Sequence, residues 1–188
     1  MKIVNNNIYI TRGETDTYNT RVIDKTTGAP FVLPTTNAAG GSVSKFLIVF
    51  SVRKSDYIKD GSAIKKYLWV NNDAKLVKTK AEDYPASEWG DHGEAFVPEK
   101  NVLYRSKTEL GTYDYAYYDG QTWKEYSFDI KFPFLYDDTA SLAPKAYKYA
   151  MTIYGGNNLD ITDAGLVGID YKKPLVDAQF IVEADINE

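Results

Sequence analysis

Cysteine is absent from this 188-residue chain, and the absence excludes several kinds of site. The chain can form no disulfide, bind no metal through a thiolate and use no cysteine nucleophile. The absence agrees with folding in a reducing cytoplasm, although many exported proteins also lack cysteine. A domain of this length buries roughly 70% of the surface that its unfolded chain exposes, so it needs no covalent cross-link.

Long apolar runs and an excess of basic residues are also missing. No stretch approaches the roughly 20 apolar residues of a membrane-spanning helix, and the most apolar one, Phe46 to Val52, has the length of a strand. The first seven residues, Met1 to Asn7, include polar ones where a secretion signal needs an apolar core. The net charge of −4, with mixed signs, provides no electrostatic attraction for nucleic acid or anionic lipid. We therefore expect a soluble protein, made in a cytoplasm, without nucleic-acid or membrane partners.

Histidine occurs once, which limits the possible catalytic chemistry. A Ser-His-Asp triad would have to use His92, and its acidic, glycine-flanked surroundings favour an exposed surface residue instead. A catalytic zinc ion needs two or three histidines or a cysteine set, so zinc is not expected. The sequence therefore predicts no histidine-based catalytic site and no zinc site.

Carboxylates are plentiful, and two of them in a cleft could hydrolyse a glycosidic bond. The densest group is Asp137, Asp138 and Thr139, where a cap of a short turn is the favoured interpretation. Three further aspartates lie in a loop-rich region: Asp160, Asp163 and Asp170. They lack the ligand spacing of an EF-hand, and a loose surface cation site is the alternative that remains for them. We expect no catalytic residue, no cofactor site and no metal site.

Tyrosine is the compositional outlier, with 16 residues beside 8 phenylalanines and 3 tryptophans. These residues fit pleated, half-buried surfaces and therefore favour β structure. They are also enriched at contact surfaces, where tyrosine offers a large rigid area with a polar tip. The composition thus predicts a β protein that acts through binding.

Alternating and apolar runs predict eight to ten short strands and almost no helix, as in an all-β sandwich or barrel. The run Lys45 to Arg53 is apolar on both faces, which indicates a strand covered on both sides. Other strands are predicted at Ile8–Thr11, Ala146–Tyr154 and Ala178–Ile186. The only helix candidates are Pro85–Trp89 and Thr139–Lys145. We predict a single β-sandwich domain over residues 1–188.

The strongest local signal is a hairpin from Thr112 to Phe132 around Asp119-Gly120, because both residues accept a positive φ. A turn centred there places Tyr117 opposite Thr122, and Asp114 opposite Glu125. The predicted core face then carries Tyr113, Tyr115, Tyr117, Tyr126, Phe128, Ile130 and Phe132. Tyr118 and Trp123 are predicted to be exposed near the tip of the hairpin and to form a possible interface.

Two stretches resemble a known family in the order of their motifs. Ile8 to Thr15, Thr27 to Leu33 and Phe46 to Lys54 read as a strand ending in Arg-Gly-acid-Thr, a Gly-x-Pro-aromatic hairpin and a buried strand ending in Val-Arg-Lys. A Pro, Asp-Thr and Tyr-x-Tyr block follows after Phe132, and the chain closes on a strand of the aromatic-x-Val kind. This order is similar to the N-terminal domain of upper baseplate proteins in tailed phages of Gram-positive hosts.

The resemblance covers residues 7 to 54 and 132 to 187, so residues 55–131 look like an insertion with hairpins. It implies an Ig-like antiparallel β-sandwich and a virion structural protein, without catalytic residues, that forms a symmetric oligomer with other phage structural proteins. Members of that family continue into a linker and a receptor-facing module, and this chain ends at Glu188. A baseplate or tail-tip component, a neck or head decoration and an adaptor stay open. The alternative function is a carbohydrate- or receptor-binding β-sandwich module.

Overall fold

The computed structural model describes residues 1–54, 61–72, 76, 78–83 and 98–184, with the backbone alone for 78–83. These residues form an all-β structure of fourteen strands and one short helix. No helix in the described ranges is long and apolar enough to cross a membrane. His92 and the helix predicted at Pro85–Trp89 lie outside the described residues.

The strand count exceeds the predicted eight to ten because four of the strands have only three residues, too few for an alternating pattern in the sequence. In chain order the strands are β1 (Lys2–Val4), β2 (Asn7–Thr11), β3 (Asp16–Arg21), β4 (Lys45–Arg53), β5 (Ser62–Val70), β6 (Lys78–Asp83), β7 (Val102–Lys107), β8 (Tyr113–Tyr118), β9 (Trp123–Glu125), β10 (Asp129–Phe134), β11 (Lys145–Gly156), β12 (Asp160–Thr162), β13 (Gly165–Val167) and β14 (Tyr171–Glu183).

The chain divides into two compact units. Unit 1 contains residues 1–20, 43–71 and 130–188, and unit 2 contains residues 21–42 and 72–129. The predicted insertion, 55–131, is shared between them, because β5 belongs to unit 1 and β6 to β9 belong to unit 2. A single domain over the whole chain stays a prediction.

Unit 1 is built on a six-stranded sheet in the order β1-β2-β14-β11-β4-β5. The sheet is mixed, where the sequence predicted an antiparallel one, because β2 and β14 pair in parallel. Their register sets Phe180 beside Ile8 and Val182 beside Ile10, and all four side chains are buried. Parallel pairing of strands so far apart in the chain is invisible to local patterns, since no turn connects them.

The core of unit 1 lies between this sheet and the two-stranded sheet of β3 and β10, in a sandwich-like arrangement. The Phe50 ring of β4 stacks on Tyr149 with 5.1 Å between ring centroids. It also contacts Phe132 and Phe134 of β10 at 5.5 and 5.3 Å and Tyr18 of β3 at 5.9 Å. Burying such rings provides the main driving force for folding, so Phe50 is the centre of this core.

The helix α1 (Tyr136–Ala140) begins three residues before the predicted helix at Thr139. Asp138 is the third residue of the helix, and it accepts a hydrogen bond of 2.7 Å from the N–H of the N-cap residue Leu135, so it caps from within the helix and not from before it as predicted. The Thr139 side chain is fully buried, and its hydroxyl oxygen accepts a 3.0 Å hydrogen bond from the Gly13 N–H. The acidic group of α1 therefore has a structural role.

Unit 2 contains the four-stranded sheet β6-β7-β8-β9, in which β6 and β7 run parallel. The predicted hairpin forms with a different register, since Tyr117 pairs with Lys124 and not with Thr122. Asp119 accepts hydrogen bonds from the N–H groups of Gln121 and Thr122 at 2.8 and 2.9 Å, so it precedes the turn. The turn is therefore centred on Gly120-Gln121, and Gly120 has a φ of 102° at its first central position.

The structure also corrects the predicted core face, and the register is not the reason, because a two-residue shift in pairing keeps the same side chains on each face. Ala116, assigned to the outer face, is buried, whereas Tyr113 on the predicted core face is exposed. Phe128, Ile130 and the rest of the predicted apolar set beyond the hairpin are buried as expected. The chain leaves the hairpin after Glu125, and β10 pairs with β3 and not with β8. One alternating pattern in the sequence thus covers strands of two different sheets.

Candidate functional site

An open cleft of 470 Å³ lies within unit 2 and is rich in tyrosine and charged residues. We call it the tyrosine cleft. One wall comes from the chain that follows β3, and the other comes from β8, β9 and the residues after β9. Its lining residues are Arg21, Ile23, Gly28, Pro30, Tyr113, Asp114, Tyr115, Glu125, Tyr126 and Ser127.

A tight turn after β3 forms the first wall. The Asp24 carboxylate accepts hydrogen bonds of 2.9 Å from the N–H groups of Thr26 and Thr27, a pattern that local sequence favours in aspartate turns. Gly28 follows with a φ of 71°, which a residue with a side chain rarely adopts. The turn folds the chain back, and the Phe31 N–H donates to the carbonyl oxygen of Val22 at 3.0 Å.

Tyrosines form the opposite wall, and the structure holds two of them in place. The Tyr126 hydroxyl donates to the Phe31 carbonyl oxygen at 3.0 Å, while its N–H donates to the Tyr115 carbonyl oxygen at 2.8 Å. Burial, with a smaller contribution from the charge of Tyr117, raises the pKa of Tyr126 to about 12. The Arg105 guanidinium lies 4.6 Å from the centre of the Tyr113 ring. These contacts preorganise the aromatic wall.

The charged residues of the cleft differ in their pairing. Arg21 donates from Nε to Asp129 Oδ1 at 2.9 Å, and this contact raises the pKa of the guanidinium. The Ser127 hydroxyl donates to the same aspartate at 2.7 Å. Asp114 and Glu125 are exposed and make no ion pair with any described residue. The cleft therefore presents two unpaired carboxylates beside a neutralised arginine.

Sequence reasoning did not predict this cleft, although it placed two of the lining carboxylates close together. It paired Asp114 with Glu125 across the hairpin, whereas the structure pairs Glu125 with Ala116. The two carboxylates nevertheless line one cleft. The contribution of the turn around Gly28 was missed, because no local pattern indicates that residues 21–30 pack beside residues 113–127.

A second surface lies on β5 of unit 1. Within the described part of the chain, β5 is an edge of the six-stranded sheet and pairs only with β4. Its outer face carries Lys65, Tyr67 and Trp69, and the Lys65 ammonium lies 5.3 Å from the centre of the Tyr67 ring. Tyr67 and Trp69 are 39% and 47% exposed. We call these three residues the β5 strip.

Tyr118 and Trp123, the predicted interface residues, are brought together at the end of the hairpin as a cross-strand pair. Both are half-buried and not exposed as predicted, because the Trp123 ring packs on Tyr118 at 5.9 Å and on the buried Tyr104 at 5.5 Å between centroids. These contacts reduce the area that the two side chains can offer to a partner. Their role as an interface stays a prediction.

The other candidates for chemistry stay separate from the cleft. Asp138 forms a 2.6 Å ion pair with Lys66 in unit 1, and this pair, together with its cap role, accounts for its carboxylate. Among the described residues no three acidic or histidine side chains are close enough to hold a metal ion, and this includes Asp160, Asp163 and Asp170. No protein-family model, no curated protein and no solved structure matches the chain. Its activity must therefore be inferred from its own residues.

Proposed function

We propose that this chain is a structural protein of a tailed bacteriophage virion, a baseplate, tail-tip or adaptor component that acts through protein–protein interfaces. In this proposal unit 1 is an Ig-like β-sandwich, and the protein is assembled into the virion in the host cytoplasm. It requires no cofactor and catalyses no reaction. Head or neck decoration is the alternative location.

The motif order and the strands of unit 1 support the proposal together. The segments 7–20, 43–54 and 132–184 of the two resembling stretches supply β2, β4, β11 and β14, which are four adjoining strands of the six-stranded sheet. Residues 21–42, which carry the Gly-x-Pro-aromatic motif, belong to unit 2. The segments that resemble the phage family therefore contribute strands that lie side by side in one sheet, except for residues 21–42.

The β5 strip is the observation that carries the interfacial mechanism. On β4, Leu47 and Val49 face the same way as the strip, and they are buried under Leu159. Trp69, which pairs with Leu47, stays half exposed at the sheet edge. Large aromatic side chains are enriched at the buried centres of interfaces, where they contribute most of the binding energy. A neighbouring virion protein is therefore the expected occupant.

The edge itself suggests how the neighbour binds. β5 has nine residues, and a long edge strand offers unpaired N–H and C=O groups that another chain can use. Strand addition at such an edge combines main-chain hydrogen bonds with contacts to every second side chain. Symmetric repetition of this contact strengthens the whole assembly even when each single contact is modest.

Light scattering coupled to gel filtration tests the proposal. The chain is co-expressed with the tail proteins encoded beside its gene, and the mass of each complex is measured for the wild type, Trp69→Ser and Tyr136→Ser. Tyr136 is 62% exposed and lies outside the β5 strip, so it is the matched aromatic control. We expect a complex, or a closed oligomer of the chain, that Trp69→Ser weakens by at least about tenfold and Tyr136→Ser leaves intact.

Two results contradict the proposal. A chain that stays a monomer with every neighbouring tail protein does not act through virion contacts. A complex that forms equally well with Trp69→Ser assigns the interface to another surface, and it removes the β5 strip from the mechanism.

A further inference from the structure

We propose that the tyrosine cleft of unit 2 binds a neutral saccharide. This function goes beyond the proposed structural one, because it uses a different surface and a different class of ligand. A virion component can carry such a site without any change to the contacts of unit 1.

The volume and the lining of the cleft both fit a small, hydroxyl-rich ligand. Its 470 Å³ falls within the roughly 300–1,000 Å³ that is typical of small-ligand sites. Such sites are usually lined by apolar side chains, whereas four of the lining residues here are charged or carry an aliphatic hydroxyl: Arg21, Asp114, Glu125 and Ser127. A ligand with many polar groups can exchange its hydrogen bonds to water for hydrogen bonds to this lining.

The tyrosines provide the packing surface for the sugar ring. A pyranose has two faces of C–H groups that pack on aromatic rings, while its hydroxyl groups lie around the rim. The Tyr113 ring is 37% exposed although Arg105 covers part of it, so a ring surface stays available to a ligand. Tyr126 is fixed by its hydrogen bond to Phe31, so the wall is formed before the ligand binds. Preorganisation of this kind lowers the entropy lost on binding.

The charges provide the recognition of hydroxyl groups. An ionised carboxylate accepts hydrogen bonds only, and each of its oxygens can accept more than one. Asp114 and Glu125 have no cation partner among the described residues, so their oxygens are available to vicinal hydroxyl donors. Arg21 uses Nε and Nη2 on Asp129 and keeps further N–H donors for a hydroxyl or ring oxygen. Donors and acceptors thus both line the cleft.

The same charges disfavour other small ligands. A phosphate group would face two unpaired carboxylates, and the Arg21 guanidinium that lines the cleft is already paired with Asp129. A metal ion would find no cluster of three or more acidic ligands in the described residues. A cationic ligand could pair with the two carboxylates, but it would leave the remaining N–H donors of Arg21 in the cleft without an acceptor. A neutral, hydroxyl-rich ring satisfies the lining without a charge conflict.

Saturation-transfer NMR on the full chain tests the proposal. The probes are glucose, galactose, N-acetylglucosamine, maltose, cellobiose and lactose, each offered separately, and affinities are then measured by titration calorimetry. The variants are Glu125→Gln, Asp114→Asn and Tyr113→Ala, with Tyr136→Ala as the exposed tyrosine outside the cleft. The two carboxylate variants change exposed side chains with little change of shape, so they keep the test valid if Tyr113→Ala does not fold.

We expect transfer to at least one disaccharide of the panel. Its dissociation constant should rise about tenfold in each carboxylate variant, because a hydrogen bond to a charged group is lost, and stay unchanged in Tyr136→Ala. The proposal is overturned if no sugar of the panel receives saturation from the protein, and also if the three cleft variants leave sugar binding unchanged. N-acetyl-lysine amide serves as the cationic competitor. If it displaces a bound sugar at a lower concentration than that sugar itself needs to bind, the cleft is a site for cations, and the saccharide proposal is overturned.

Discussion

The Tyr126 hydroxyl donates a hydrogen bond of 3.0 Å to the carbonyl oxygen of Phe31, across 95 positions of the chain. This bond connects the residue after β9 with the turn that follows β3. The Phe31 and Phe128 rings pack edge-to-face nearby, with 5.3 Å between their centroids. The two walls of the tyrosine cleft are therefore held by a polar contact beside an aromatic one.

Tyr126→Phe removes this hydrogen bond and keeps the ring. We expect the free energy of unfolding in urea to fall by about 0.5–1.5 kcal/mol, the net contribution of a typical intramolecular hydrogen bond. Tyr136→Phe is the control, because its side chain is exposed and takes no part in this hydrogen bond. If the two variants are equally stable, the hydrogen bond from Tyr126 to Phe31 contributes no more to folding than the bonds to water that it replaces.

The raised pKa of Tyr126 predicts a loss of stability at alkaline pH. The unfolded chain releases the tyrosine proton near pH 10, whereas the folded chain keeps it until about 12, because burial disfavours the charged form. The folded state therefore binds more protons in this window, and the free energy of unfolding decreases as the pH rises from 10 to 12. Urea unfolding at several pH values should show a shallower decrease for Tyr126→Phe.

Burial also raises the pKa of Tyr149 and of Tyr171, so the comparison with a control decides the result. Tyr136→Phe should retain the wild-type decrease. A Tyr126→Phe protein with the same decrease as this control would exclude Tyr126 as a source of the alkaline sensitivity.

Phe50→Ala opens a cavity at the centre of unit 1. Its ring contacts Tyr149, Phe132, Phe134 and Tyr18, and the side chain is fully buried. Replacing a buried phenylalanine by alanine costs about 3–5 kcal/mol, from lost burial and from the cavity. Thermal unfolding followed by circular dichroism measures this loss. Leu110→Ala is the control, because Leu110 is 91% exposed and such changes stay within about 0.5 kcal/mol.

Gly156→Ala tests a close backbone approach at the end of β11. An added Cβ would overlap the carbonyl oxygen of Gly168, and backbone cannot move aside as the end of a side chain can. We expect a loss of about 1–3 kcal/mol in unfolding free energy, as for other overpacked sites. Gly41→Ala should cost less, because its Cβ meets only the side chain of Asn37, at 3.1 Å. If Gly41→Ala destabilises the protein more than Gly156→Ala does, the Gly168 carbonyl oxygen does not lie close enough to Gly156 to exclude a Cβ.

Local sequence determined which segments of this protein are strands. Ile8 and Ile10 alternate with polar residues, and the apolar run at Phe46–Phe50 predicts burial on both faces; both patterns are confirmed by burial in β2 and β4. A capping role for Asp138 could also be predicted from its residue type, although the structure places it inside the short helix. These features depend on residues a few positions apart, so a short window contains their physical cause.

Tertiary structure decided which segments meet. The pairing of β2 with β14 and the cleft between residues 21–30 and 113–127 join parts of the chain that no turn connects. At Asp119-Gly120 the sequence determined that a hairpin forms, but hydrogen bonds to the Asp119 carboxylate moved the turn by one residue. A turn moved by one residue shifts the pairing between the two strands by two residues, so the same side chains stay together on each face. Burial of Ala116 rather than Tyr113 was thus decided by packing, since only the surrounding strands determine which face is covered.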